Sequence, residues 1–140
     1  MKHIDVAVGV VLSSENERHN QDRHFFICKR SAKQHQGDKW EFPGGKVDAG
    51  ETPEQALARE LTEEINIDVK SCEALMQIRH DYVDKQVCLH VFLVTEFTGQ
   101  ARGAEGQESK WVSGAELANY EFPDANQAIL HTLAQKGLCT

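Results

Sequence analysis

Five glutamates crowd one short part of the stretch from Trp40 to Ile67: Glu51, Glu54, Glu60, Glu63 and Glu64. That stretch, WEFPGGKVDAGETPEQALARELTEEINI, sets a glycine pair and a proline-marked helix start ahead of the last three acids. Carboxylates at i, i+3 and i+4 of a helix are neighbours and repel by a few tenths of a kcal/mol per pair. On a wheel of about 100° per residue, Leu57, Leu61 and Ile65 make one apolar stripe; Glu60 and Glu64 fall at its edge and Glu63 further round. A merely solvated acidic face would be centred opposite the stripe. Half-buried carboxylates at this density are costly unless a cation neutralises them. With no Cys or His beside them, the all-oxygen donors suit Mg²⁺ or Mn²⁺ better than zinc or copper. Gly45, six residues before Glu51, stands where its carbonyl can join the coordination shell. The competing reading is an ordinary charged helix, with Arg59 offsetting Glu63 at i+4.

The elements that position these groups follow from local signals. Thr52-Pro53 opens the helix, because Thr52 can cap it with Gln55 completing a capping box, and proline suits the first helical position. The helix is expected to run to about Ile65. Ahead of it, His3 to Leu12 is β-branched and nearly continuously apolar, so it reads as a strand buried on both faces. A polar loop over 13–22 leads to a second strand, His24 to Lys29, followed by a polar segment over 30–39. Gly44-Gly45 predicts a sharp turn. Beyond the helix, Val69 to Arg79 and Gln86 to Phe97 read as strands joined by a turn from His80 to Lys85. A loop over 98–107 carries one interior acid, Glu105, and precedes a short strand, Lys110 to Val112. Ser113 with Glu116 predicts a brief helix, and Asp124 predicts the cap of a last helix bearing Ile129, Leu130 and Leu133 on one face. The order β-β-α-β-β-β-α-α, without repeat or linker, predicts one α+β domain over residues 1–140, a mixed sheet with helices against it.

Composition narrows the partners. A formal net charge of -7 excludes the broad basic surface that stable duplex binding needs. It leaves room for a phosphate ligand, since bound metal reverses the sign of a carboxylate site. No apolar run reaches the roughly 18 residues of a membrane span, and Asp5 interrupts any secretory leader, so the expected compartment is the cytoplasm. The four cysteines have no zinc-like spacing and read as reduced structural thiols, with Cys28 and Cys88 as small buried hydrophobes. Among the seven histidines, His35 and His90 are singletons and read as structural.

Gly45, Glu51, Arg59, Glu60, Leu61, Glu63 and Glu64 together resemble the Nudix box, G-x5-E-x7-R-E-U-x-E-E-x-G-U. One position departs: Asn66 replaces the glycine after the helix. Asparagine is the non-glycine residue that best tolerates a left-handed backbone. The resemblance implies a mixed β-sheet sandwiched between α-helices and a pyrophosphohydrolase acting on a nucleoside diphosphate linked to a further group. It implies metal on Gly45, Glu60, Glu63 and Glu64, with Arg59 holding Glu60 or a neighbour and Glu51 orienting water or a ligand. Which carboxylate is the general base stays open.

Outside the box the chain is similar to family members that hydrolyse oxidised guanine nucleotides. The similarity lies in AVGV near the start, Lys29-Arg30, WEFPGGK, GETPEQA, AEGQ at Ala104 to Gln107 and FPDAN at Phe122 to Asn126. It implies that Glu105 is a further metal ligand or the base, that Arg30 meets the phosphate or sugar, and that Phe42 lines the base pocket. Asp84 and Lys85 occupy the place of an Asp-Arg pair near the base; lysine keeps the charge and loses the planar fork. Tyr82 offers a ring beside them. Asn126 is the expected base selector, because an amide both donates and accepts. Guanine offers two acceptors, O6 and N7, on its outer edge, and oxidation at C8 turns N7 into a donor that one amide can match. The implied substrate is 8-oxo-dGTP, the implied state a monomer, and the alternative a member preferring CTP or a modified cytosine nucleotide.

Overall fold

The computed structural model describes residues 2–13, 23–31 and 37–139. Most of the loop expected over 13–22, and His35 in the segment over 30–39, lie outside these residues. A four-stranded mixed sheet forms the centre, built from β1 (Lys2–Val11), β4 (Gly44–Lys46), β5 (Asp68–Asp81) and β6 (Lys85–Thr98) in the order β4-β1-β6-β5. β1 runs parallel to β6 from Lys2↔Lys85 to Val11↔Val94, and the other pairings are antiparallel. A three-stranded antiparallel sheet, β3 (Trp40–Glu41), β2 (His24–Lys29) and β7 (Ser109–Ser113), stands beside it in the order β3-β2-β7.

Period-two alternation sends side chains to opposite faces of both sheets. Val8, Val10, Phe25, Ile27, Leu89 and Val91 join Ile129 and Leu133 of α2 (Gln127–Gln135) in one core. Ala7, Val11, Phe26, Cys28, Phe92 and Val94 face Ala56, Leu57, Leu61 and Ile65 of α1 (Pro53–Ile65) in the other. The strands are thus sandwiched between the two helices, as expected, in an α+β arrangement.

α1 begins and ends as its sequence predicts. Thr52 Oγ1 accepts from the Gln55 N–H at 3.1 Å, and Gln55 Oε1 accepts from the Thr52 N–H at 2.9 Å. Asn66 takes the left-handed conformation, φ 64° and ψ 36°, and its N–H returns to the Leu61 and Thr62 carbonyls.

Several expectations are corrected. Two strands, β3 and β4, were not expected: Gly44-Gly45 is part of the ladder on β1, not only a turn. A Cβ on Gly44 would stand 2.0 Å from the Ala7 carbonyl oxygen, so close strand approach is what requires glycine there. Only Ala7 onward is buried in β1, since Lys2 to Asp5 extends beyond the cover of the helices. The brief helix over Ser113 to Ala118 is a 3₁₀ turn, Leu117–Asn119, although Ser113 and Glu116 do exchange hydrogen bonds of 2.8 and 3.2 Å. Asp124 opens a second 3₁₀ turn, Asp124–Asn126, and does not cap α2, which starts at Gln127. Cys88 is half-buried, not a core thiol.

Candidate metal and nucleotide site

The acidic helix lies against β4. Glu60 and Glu64 are half-buried, while Glu63 is exposed, the order in which the wheel places them round the stripe. A Cβ on Gly45 would fall 2.3 Å from the Glu60 carboxyl carbon, so the Gly45 backbone and that carboxylate share one small space. One residue earlier, the Gly44 N–H donates to Glu64 Oε2 at 3.0 Å. The strand β4 therefore brings backbone polar groups onto the two inner carboxylates.

Arg59 is the organiser of the cluster. Its Nε and Nη2 donate to the two oxygens of Glu51 at 2.8 and 2.9 Å, a two-pronged pair. Its Nη1 reaches Glu60 Oε1 at 2.9 Å and Glu63 Oε2 at 3.5 Å, and Nη2 also donates to the Lys46 carbonyl. Glu51 Oε1 accepts the Asp48 N–H as well. These hydrogen bonds hold the Glu51 carboxyl down at about 2. The Arg59 guanidinium is in turn pushed further up by Glu51.

Glu64 behaves in the opposite way. Burial, reinforced by the negative charges of Glu41, Glu105 and Glu60, pushes it up to about 8 against the lowering effect of the Gly44 N–H. Glu60 is raised by burial too, with Glu63 and Glu105 adding to it and Arg59 opposing. One arginine does not neutralise this group. Carboxylates that raise one another are the donor set of a hard divalent cation, so the residues present fit Mg²⁺ or Mn²⁺.

Glu105 arrives from the loop between β6 and β7. That loop is pinned to the end of α1: the Ala104 N–H and Gln107 Nε2 both donate to the Glu64 carbonyl at 3.0 Å, and Gln107 Oε1 accepts the Glu105 N–H at 3.0 Å. The charge of Glu105 acts on both Glu60 and Glu64. In the sequence Gln107 is only the last residue of AEGQ; nothing in composition or period singles out a residue that works by bracing a loop.

The other expected residues gather in a cleft of about 440 Å³ lined by Arg30, Tyr82, Asp84, Lys85 and Asn126, with Val6, Val87, Leu89, Pro123 and Ala125 supplying apolar wall. Tyr82 is flanked by His80, ring centroids 4.6 Å apart, and by the Lys85 ammonium at 5.3 Å. Asn126 makes no side-chain cap bond to α2, so its amide is not spent on the backbone. Phe42 does not line this cleft: it is buried against Phe122, centroids 5.2 Å apart. Glu41, which sequence reasoning passed over, bonds Arg30 at 2.6 Å. Burial raises the Glu41 carboxyl while Arg30 opposes it, and Glu41 acts on Glu64 in turn. Arg30 and Glu41 thus link the cleft to the carboxylates.

An acidic helix braced by one arginine, with two glycines of an adjoining strand against it, thus sits on an α–β–α sandwich and offers a donor set that fits a hard divalent cation. The NUDIX domain pattern matches residues 18–132, and the chain belongs to the Nudix family. It is 37% identical over 133 residues to the 8-oxo-dGTP diphosphatase of Escherichia coli (strain K12), covering 95% of this chain and 98% of that one. A solved structure of MutT, from work on Aliivibrio salmonicida and Vibrio cholerae, is 41% identical with a TM-score of 0.80, covering 96% of this chain and 99% of that one. The CTP pyrophosphohydrolase of Escherichia coli (strain K12) is 30% identical over 130 residues, with 93% and 90% covered.

Proposed function

We propose that this chain hydrolyses oxidised purine nucleoside triphosphates, chiefly 8-oxo-dGTP, to the monophosphate and pyrophosphate, and so keeps a miscoding nucleotide out of DNA. The observation that carries the substrate choice is Asn126, an amide without a capping bond, in a cleft joined through Arg30 and Glu41 to the carboxylate cluster.

In this reading the base enters the cleft with its oxidised edge on Asn126. Tyr82, Asp84 and Lys85 bound the opening, and Arg30 meets the sugar or phosphate. The triphosphate then extends towards Glu60, Glu64 and Glu105. These carboxylates, Glu63 and the Gly45 carbonyl would hold magnesium, which would supply charge neutralisation at the attacked phosphorus. Arg59 and Glu51 keep the glutamates in register, and one of the carboxylates accepts the proton of the attacking water. Water adds to phosphorus, a P–O bond of the α–β bridge breaks to give the monophosphate and pyrophosphate, and one proton is released. Mg²⁺ is the proposed ion over Mn²⁺, and a monomer in the cytoplasm is the proposed state.

Similarity to a CTP pyrophosphohydrolase supports a second reading, in which a cytosine nucleotide is preferred. Steady-state rates with 8-oxo-dGTP, dGTP and CTP in Mg²⁺ separate the two. Turnover of CTP equal to or above that of 8-oxo-dGTP would overturn the first. A matching loss of all three activities on EDTA treatment, restored by Mg²⁺, is expected under either.

A further inference from the structure

A second group of metal-ligating side chains stands apart from the acidic helix. Among the described residues, one ligand atom each from Asp5, Cys88 and His90 lie within 4.8 Å of one another. The fold makes this juxtaposition. Asp5 of β1 is the parallel-ladder partner of Cys88 on β6, and His90 follows two residues later on the same face. That face carries Ala7, Phe92 and Val94 under α1 further along, but Asp5 and Cys88 lie past the helix and open onto a groove of about 440 Å³. His90 Nε2 and Asp5 Oδ1 are 3.0 Å apart, within hydrogen-bond reach.

We infer that Asp5, Cys88 and His90 form a second metal site, selective for a borderline-soft divalent ion such as Zn²⁺. A thiolate, an imidazole and a carboxylate are zinc donors, whereas Mg²⁺ takes oxygen. A tetrahedral ion with bonds of about 2.0–2.3 Å sets its donors roughly 3.3–3.7 Å apart. The observed spread therefore closes by rotation of the half-buried Cys88 and exposed Asp5 side chains, with solvent completing the shell. Ion entry replaces the hydrogen bond between Asp5 and His90 and releases the thiol proton of Cys88.

The neighbouring charges permit this. Arg79 lies across the ladder from Cys88, but its guanidinium is engaged by Gln86 at 2.8 Å and by Asp81 at 3.8 Å. His3 lines the same groove two residues before Asp5 on that face. Because the ligands come from β1 and β6, occupancy clips together the uncovered ends of the long parallel pair. An ion that binds the folded chain alone raises its melting temperature by mass action.

The test uses the whole chain in saturating Mg²⁺, with Co²⁺ as a spectroscopic probe and Zn²⁺ as the ion. One equivalent of Co²⁺ is expected to give a thiolate-to-cobalt charge-transfer band, displaced by Zn²⁺. Cys88→Ser and His90→Gln abolish the band and weaken Zn²⁺ binding at least tenfold; Cys72→Ser leaves both intact. Zn²⁺ raises the melting temperature of the parent but not of Cys88→Ser, whose Mg²⁺-supported turnover stays within twofold of the parent. Should a variant fail to fold, protection of Cys88 from alkylation by Zn²⁺ in the parent chain gives the same answer. No band in the parent, a band that survives Cys88→Ser or His90→Gln, or no protection of Cys88 overturns the site.

Discussion

The Gly44 N–H lies 3.0 Å from Glu64 Oε2, so a strand amide and a helix carboxylate that are twenty residues apart share one hydrogen bond. This bond and the Gly45 backbone against Glu60 fix α1 to β4 at the acidic cluster. The same contact leaves Glu64 with a single described donor while burial and three other carboxylates push it up.

A pH dependence follows. In metal-free protein Glu64 keeps its proton to about pH 8, whereas in the unfolded chain it releases it near the ordinary carboxylate value. The folded state therefore binds more protons across that window, and its stability is full below the window and falls as pH rises through it. The slope from this group is at most about 1.4 kcal/mol per pH unit. Denaturant titrations in EDTA should show the decline, flatter in Glu64→Gln and flatter again in Mg²⁺. Parallel profiles for parent and Glu64→Gln would refute the assignment. Over the same range Mg²⁺ affinity should climb with pH, because binding expels the proton.

Gly45→Ala tests the closeness of β4 to the cluster. The new methyl meets the Glu60 carboxylate, a movable side-chain end, so the fold should survive with a loss of about 1–3 kcal/mol. Displacing Glu60 and the Gly45 carbonyl, both proposed ligands, should cut turnover by about a hundredfold or more, on the scale of losing one preorganised electrostatic contact. Near-parental rates in folded Gly45→Ala would show that neither group is needed.

What the sequence made legible was local and periodic. The acidic helix, its Thr52–Gln55 box and the half-burial of Glu60 and Glu64 follow from spacing along one element, and the left-handed Asn66 from its place in the glycine slot of the Nudix box. β3 and β4 escaped because two- and three-residue strands show no alternation, and Gly44-Gly45 carries turn chemistry whether or not a neighbour pairs with it. Glu41 and Gln107 escaped for a different reason: each acts through a residue remote in the chain, Arg30 and the Glu64 carbonyl. Cys88 was misread as core because the apolar run around it outlasts the helix that covers it. Phe42 was assigned a pocket wall from resemblance alone, and the ring is buried on Phe122.

Arg59→Lys separates charge from geometry. Lysine can satisfy one carboxylate at a time, where Arg59 spans Glu51, Glu60 and Glu63 together. Because these pairs are solvent-screened, the folding cost should be small. Turnover should fall about ten- to a hundredfold, since small misplacements of positioning groups are expensive in rate. A variant with unchanged kcat would mean that Arg59 only balances charge.

Asn126 carries the substrate argument and offers the sharpest test of it. Its side chain caps nothing, so truncation to alanine should leave the melting temperature nearly unchanged. Loss of two matched hydrogen bonds to the oxidised edge should cost about 1–3 kcal/mol, or roughly ten- to a hundredfold in kcat/KM for 8-oxo-dGTP. The rate with dGTP should barely move, because the parent already leaves one pair mismatched there; the preference then collapses from the oxidised side. Asn126→Asp goes further, since a carboxylate accepts from the N7–H but repels O6, and should fall below the alanine variant on both substrates. If alanine lowered both rates equally, Asn126 would be holding the cleft's shape and the choice of base would have to lie with Tyr82, Asp84 or Lys85.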